Sequence, residues 1–114
     1  MKIAIVGSRT FNNYEWLSEI LLQFDLTLVY EIVSGGAKGA DTLGKKFAEH
    51  YSITHRVFSP EWDKYGKSAG FIRNQTIVDN CDIVIAFWDG ESRGTADTIE
   101  KAKKAKKPTF IVYF

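Results

Sequence analysis

Residues 33–41, Val33-Ser34-Gly35-Gly36-Ala37-Lys38-Gly39-Ala40-Asp41, carry the strongest chemical signal in this sequence. Three glycines among five residues leave backbone N–H groups unshielded and admit positive φ. The stretch lies where an apolar strand pattern gives way to a helical one at Ala40. A helix that starts there begins with orphan N–H donors and a partial positive charge. A glycine turn feeding such a terminus is an anion site, most often for phosphate. Lys38 adds a mobile cation. The competing reading is a plain strand-to-helix turn, but a glycine pair, a third glycine and a lysine at a strand end favour phosphate.

Further residues fit a nucleotide. Arg9, in the turn Gly7-Ser8-Arg9, suits a bidentate phosphate contact. The amides of Gly35, Gly36 and Gly39 suit a phosphate cradle, with Ser34 beside them. Gly94 and Thr95 open a later helix and offer a second anion-binding terminus, enough for a diphosphate or two phosphates. Asp41 and Asp89 suit ribose hydroxyls, and Trp62 and Trp88 suit stacking on a base. Each has a structural alternative. Asp41 suits the first turn of a helix electrostatically, Thr95 suits a cap, and the tryptophans suit packing.

These residues need a scaffold. Residues 2–6 (KIAIV) form a β-branched run typical of a buried parallel strand. A helix is expected over 14–24, with Leu17, Ile20, Leu21 and Phe24 on one face. A second strand follows over 29–34 and a second helix over 40–51, with Leu43, Phe47 and Tyr51 in register. A third strand spans 54–58, and a polar, aromatic loop covers 59–68. Residues 69–80 are helical, 82–87 (DIVIAF) form a fourth strand, and 88–94 a loop. The last helix covers 95–107, with Ile99, Ala102 and Ala105 inward. Pro108 ends it, and 109–113 form a fifth strand.

This alternation implies a single α/β domain over 1–114, with a parallel sheet between two helix layers. In such a sheet, ligands sit beyond the carboxyl ends of the strands. Every unusual loop leaves a carboxyl end; the loops at the opposite edge (25–27, 52–53 and 107–108) carry nothing comparable. That asymmetry is the main argument for a ligand site.

Composition narrows the function. At 45% hydrophobic and 25% charged residues, the chain has the make-up of a soluble globular protein. A net charge of +1 supplies no global field toward DNA or anionic membrane. The lysines at 101, 103, 104, 106 and 107 suit a helix C-terminus and a solvated face. The single cysteine, Cys81, excludes an internal disulfide and fits a buried thiol in a reducing compartment. The apolar run at 3–6 is too short for a signal peptide or a membrane span. A cytoplasmic location is expected. His50 and His55 fall away from the ligand edge, so no metal is expected. Neither Ser8 nor Ser34 has a candidate base near it in sequence, which argues against a Ser–His hydrolase. Tyr14, Trp16 and Tyr65 are expected to be exposed and suit a homo-oligomer interface.

Four blocks, in order, resemble the SLOG superfamily, which joins the DprA/SMF and LOG proteins, and within it the YspA-like branch. They are Gly7-Ser8-Arg9-Thr10-Phe11, residues 34–41, residues 66–74 with Arg73 and Asn74, and residues 86–90 through Gly94-Thr95. The resemblance covers nearly the whole chain. It implies a Rossmann-like fold with a five-stranded parallel sheet of order 3-2-1-4-5. It also implies binding of a nucleotide or nucleotide-derived small molecule, with no cofactor, and it brings Arg73 and Asn74 into the ligand set. LOG enzymes are phosphoribohydrolases that use a helical arginine and a glutamate after a PGGxGT loop. Arg73 matches that arginine, but the loop reads Trp88-Asp89-Gly90 and the glutamate position falls on Thr98. Asp97 and Glu100 are the neighbours that would substitute if the chain were an enzyme. DprA-like proteins bind single-stranded DNA, but the near-neutral charge makes nucleic acid an unlikely partner.

Overall fold

The computed structural model describes residues 1–114. Strand β1 (Lys2–Gly7) is followed by helix α1 (Tyr14–Leu21), β2 (Glu31–Ser34), α2 (Ala40–His50) and β3 (Thr54–Val57). The chain continues with the helical turn α3 (Trp62–Tyr65), α4 (Ala69–Asp79), β4 (Ile83–Trp88), α5 (Arg93–Lys104) and β5 (Thr109–Tyr113). All strand pairs are parallel and the sheet order is β3-β2-β1-β4-β5. This is the Rossmann-like order expected from the resemblance.

The layers follow from strand alternation. In β1, Ile3 and Ile5 face α1 and α2, where they join Leu17, Leu21, Phe47 and Phe87. Ala4 and Val6 face the other way and pack with Ile77, Val78, Ile99 and Ala102 of α4 and α5. Both faces of β1 and β4 are therefore covered, which explains their unbroken apolar runs. The connection from β1 crosses one face and the connection from β4 crosses the other. The two strands stay paired to Gly7 and Phe87, and the segments that leave them turn to opposite faces, the arrangement that opens a crevice beyond the carboxyl edge. No helix is long and apolar enough to cross a membrane.

Several boundaries differ from the sequence expectations. Helix α1 ends at Leu21, not Phe24, because Gln23 and Phe24 turn to i−3 carbonyl bonds. Strand β2 starts at Glu31 rather than 29, since the Val29 amide bonds Leu26 in a turn. The loop expected over 59–68 contains α3, closed by the Tyr65 amide on the Glu61 carbonyl, and then a 3-10 turn over Gly66–Ser68. Helix α5 spans Arg93–Lys104 rather than 95–107. Lys106 takes a left-handed φ of 58° and breaks it, which leaves Ala105 exposed instead of inward. Tyr14 and Trp16 are half-buried against the core rather than exposed, whereas Tyr65 is exposed.

Candidate functional site

A cavity of about 260 Å³ lies at the carboxyl end of β1. Its walls come from four segments: Gly7 and Arg9 after β1, Ala37 and Asp41 around the start of α2, Arg73, Asn74 and Ile77 of α4, and Ser92, Gly94, Thr95 and Thr98 at the start of α5. Residues distant in sequence thus converge at one sheet edge.

Arg73 is the best-anchored cation. Its Nη1 donates to the Gly35 carbonyl at 2.7 Å and its Nε donates to Asn74 Oδ1 at 3.0 Å. The remaining guanidinium N–H groups are free. Burial lowers the Arg73 pKa and the nearby Arg9 pushes the same way, while Asp41 opposes both. A side chain at position 35 would stand 2.5 Å from Arg73 Nη1, so the glycine there is what lets the guanidinium approach. Asn74 carries the tie onward. Its Nδ2 donates to the Gly94 carbonyl at 3.2 Å and to Asp97 Oδ2 at 3.0 Å, which locks α4 against α5.

Asp41 is only 6% exposed. Its Oδ2 accepts from the Gly35 amide at 2.7 Å and from the Ala37 amide at 3.4 Å. Burial nonetheless pushes its pKa up to about 6, against the lowering effect of those two amides and of Arg73. The glycine segment is therefore held by its own carboxylate, and the Gly35 amide is already used. Gly39 adopts φ +79° directly over the Ser8 and Arg9 carbonyls, a close approach that brings the two loops together.

The start of α5 differs. It has no acidic residue in its first turn and no side-chain cap on its amides. The amides of Gly94 and Thr95 have no acceptor within the protein, as the geometry of a helix start requires. Thr98 donates its Oγ1 to the Gly94 carbonyl at 3.2 Å and is buried in the cavity wall.

Other residues singled out from the sequence lie elsewhere. Ser8 is buried and its Oγ accepts from the Asp89 amide at 3.2 Å, which ties the β1 loop to the β4 loop. Asp89 Oδ1 accepts from the Glu91 and Ser92 amides at 2.9 and 2.8 Å, and those bonds lower its pKa. It shapes its own loop. Trp88 donates Nε1 to the Ser92 carbonyl at 3.0 Å and packs its ring on Tyr113. Trp62 is 58% exposed on α3, and neither tryptophan reaches the cavity. Lys38 is exposed outside it, and Gly36 lines a separate hollow with Lys45 and His55. Asp97 is bound by Asn74 and by Lys101 at 2.5 Å, while Glu100 pairs with Lys104 on the surface; neither lines the cavity.

The fold adds a neighbour that proximity in sequence does not show. Ser34 does have a neighbouring histidine: Ser34 Oγ and His55 Nε2 lie 2.8 Å apart. The two residues are 21 apart in sequence, but the parallel pairing of β2 and β3, which sets Ser34 opposite Val57 and His55 opposite Ile32, brings them into diagonal contact. Ser34 is fully buried, so the contact satisfies its hydroxyl inside the sheet and presents no nucleophile. Sequence reasoning also missed Ala37, Ile77, Ser92 and Thr98 as wall residues. Thr98 was within reach, because it stands one helical turn beyond Gly94. The lysine run is largely consumed: Lys101 and Lys104 form ion pairs, and Lys107 donates to the Val78 and Cys81 carbonyls.

The parallel sheet and its strand order define a Rossmann-like domain, with a polar, arginine-lined cavity at its carboxyl edge. The sequence pattern of the YspA, cpYpsA-related SLOG family matches residues 1–65. The chain is also 32% identical over 117 residues to the gene 61 protein of Mycobacterium phage D29, covering 94% of this chain and 92% of that protein. The chain therefore belongs to the YspA, cpYpsA-related SLOG family, which ties it at a general level to nucleotide-related binding or processing. The X-ray structure of TM1055 superposes with a TM-score of 0.67 over 95% of this chain and 71% of that one. At 20% identity, that likeness speaks to the fold.

Proposed function

We propose that this protein binds a nucleotide or nucleotide-derived small molecule at the carboxyl edge of its sheet, as a sensor or sequestering module. The phosphate lies between Arg9, Arg73 and the first turn of α5. The observation that carries this reading is that Gly94 and Thr95, whose amides are unpaired, line the same cavity as Arg9 and Arg73. Two cations face one carboxylate there, and that carboxylate is turned into the glycine loop. An anion relieves the mutual repulsion of Arg9 and Arg73 and completes the open helix terminus. A cytoplasmic setting, where such ligands are abundant, fits the reading.

Binding is favoured over turnover because Asp97 and Glu100, the carboxylates that would serve a phosphoribohydrolase, are paired and stand outside the cavity. The test is calorimetric titration with a panel of mono-, di- and cyclic nucleotides, followed by chromatography of the same mixtures. Binding with the nucleotide intact is the expected result. No heat across the panel overturns the reading, and released base with ribose phosphate replaces it by the glycosidase.

A further inference from the structure

A second cavity of about 80 Å³ adjoins the first, and Arg73 lines both. We infer that this second cavity is a base slot and that the ligand is a purine nucleoside phosphate with paired N–H donors on its base, guanine foremost. The inference rests on the phosphate reading above, since it assigns the other end of the same ligand.

Three features support it. The first is continuity. Arg73 lines both cavities, so a ligand whose anion pairs with that guanidinium has the second cavity within reach of its remaining atoms. A planar guanidinium also stacks on aromatic faces, which suits a base lying against it. The second is wall chemistry. Phe58, Tyr65 and Ile72 form the apolar sides of the slot. Its size is several times the roughly 10–15 Å³ that one water needs, which suits a ring rather than an ion. This wall takes the stacking role that Trp62 and Trp88 do not fill, since neither lines either cavity.

The third feature sets the base. Glu61 lines the slot from an exposed position; its backbone carbonyl accepts the Lys64 and Tyr65 amides, and its carboxylate forms no hydrogen bond or ion pair within the protein. An ionised carboxylate only accepts hydrogen bonds. Turned toward the slot, it selects a base edge that presents adjacent donors. Guanine offers N1–H and the N2 amino group side by side, matched to the two oxygens. Adenine offers only its N6 amino group. Uracil flanks its single N3–H with two carbonyls that repel the carboxylate.

The experiment titrates GMP, AMP and ribose 5-phosphate into the full-length protein and into the Tyr65→Ala and Glu61→Gln variants. In the unmodified protein, GMP is expected to bind at least about tenfold more tightly than ribose 5-phosphate and several-fold more tightly than AMP. Tyr65→Ala should remove most of the GMP advantage and leave ribose 5-phosphate within about twofold, which also reports that the variant is folded. Glu61→Gln should bring GMP close to AMP. Equal binding of GMP and ribose 5-phosphate overturns the base slot while the phosphate reading stands. Preference for AMP, or a GMP preference untouched by both substitutions, overturns the assignment of these walls. Failure of all three ligands to bind overturns the phosphate reading and the slot with it.

Discussion

Helices α2 and α5 begin at the same edge of the sheet, and their first turns are built in opposite ways. The start of α2 follows the glycine-rich segment and carries an acid, Asp41, in its first turn, whose carboxylate turns back to the Gly35 and Ala37 amides of the preceding loop. The start of α5 follows a loop with far less glycine, has no acid in its first turn and leaves the Gly94 and Thr95 amides open to the cavity. Glycine count therefore marks where backbone approaches closely; it does not mark where amides are free. In the first loop, glycine serves internal fit, letting Arg73 reach the Gly35 carbonyl and letting Gly39 stack on the β1 loop. In the second, Gly94 has nothing within 4 Å of where a Cβ would stand.

The largest difference between the two loops should appear on adding a methyl group. Gly39→Ala forces an alanine to φ +79° against backbone carbonyls and should destabilise the fold by about 2–4 kcal/mol. Gly94→Ala should be neutral or slightly stabilising, because it replaces a helical glycine in open space. Urea denaturation of both variants reads the contrast, and equal stabilities would break it.

Next in size is the cation common to both loops. Arg73→Ala should weaken nucleotide binding by about 10- to 100-fold, the scale of one charge-assisted contact. Arg73→Lys should recover little, because a point charge cannot hold Gly35, Asn74 and a phosphate together. Calorimetry against a nucleoside monophosphate reads both, and a lysine variant that binds like the parent would refute the forked geometry.

The first-turn acid of α2 also has a pH signature. The Asp41 pKa is raised from 3.8 to about 6 in the folded protein. The native state therefore holds that proton more tightly than the unfolded chain. The contribution is present below the unfolded value, is lost as pH rises through about 6, and is flat above it. It amounts to about 2–3 kcal/mol. Subtracting the stability of Asp41→Asn from that of the parent across about pH 4.5 to 7.5 isolates the slope. A flat difference would mean that Asp41 stays ionised throughout.

The smallest effect sharpens the comparison most. Gly94→Asp gives α5 a first-turn acid at the position Asp41 holds in α2. It should weaken phosphate-ligand binding by about three- to tenfold while thermal stability is kept or improved. Unchanged affinity would place the anion away from the α5 terminus.

Much of the scaffold was legible because it is written in local periodicity. The runs at 2–6 and 82–87 read as buried strands, and the helices between them read from their apolar faces. Boundaries slipped where competing local bonds decided, as at Glu61, whose carbonyl closes α3 inside an expected loop, and at Lys106, whose left-handed φ ends α5 early. The candidate edge was legible for the same reason, since strand direction puts Arg9, the glycine segment and Gly94 on one side. Arg73 was reached only through resemblance; nothing in its own helix marks it. The partners of Trp88 and Asp89 were not legible, because a tryptophan N–H and a carboxylate in a short polar loop have many possible partners.

By itself, the sequence determined an alternating α/β chain, the strands that form the sheet and the edge where Arg9, the glycine segment and Gly94-Thr95 gather. The tertiary structure alone decided how those residues are used. Arg73 meets Gly35 across 38 positions, and Ser34 meets His55 across 21. Those distances close only when strand register and the two helix layers are set. Periodicity depends on near neighbours along the chain, whereas the partner of a buried carboxylate, hydroxyl or guanidinium depends on which segments the fold brings together.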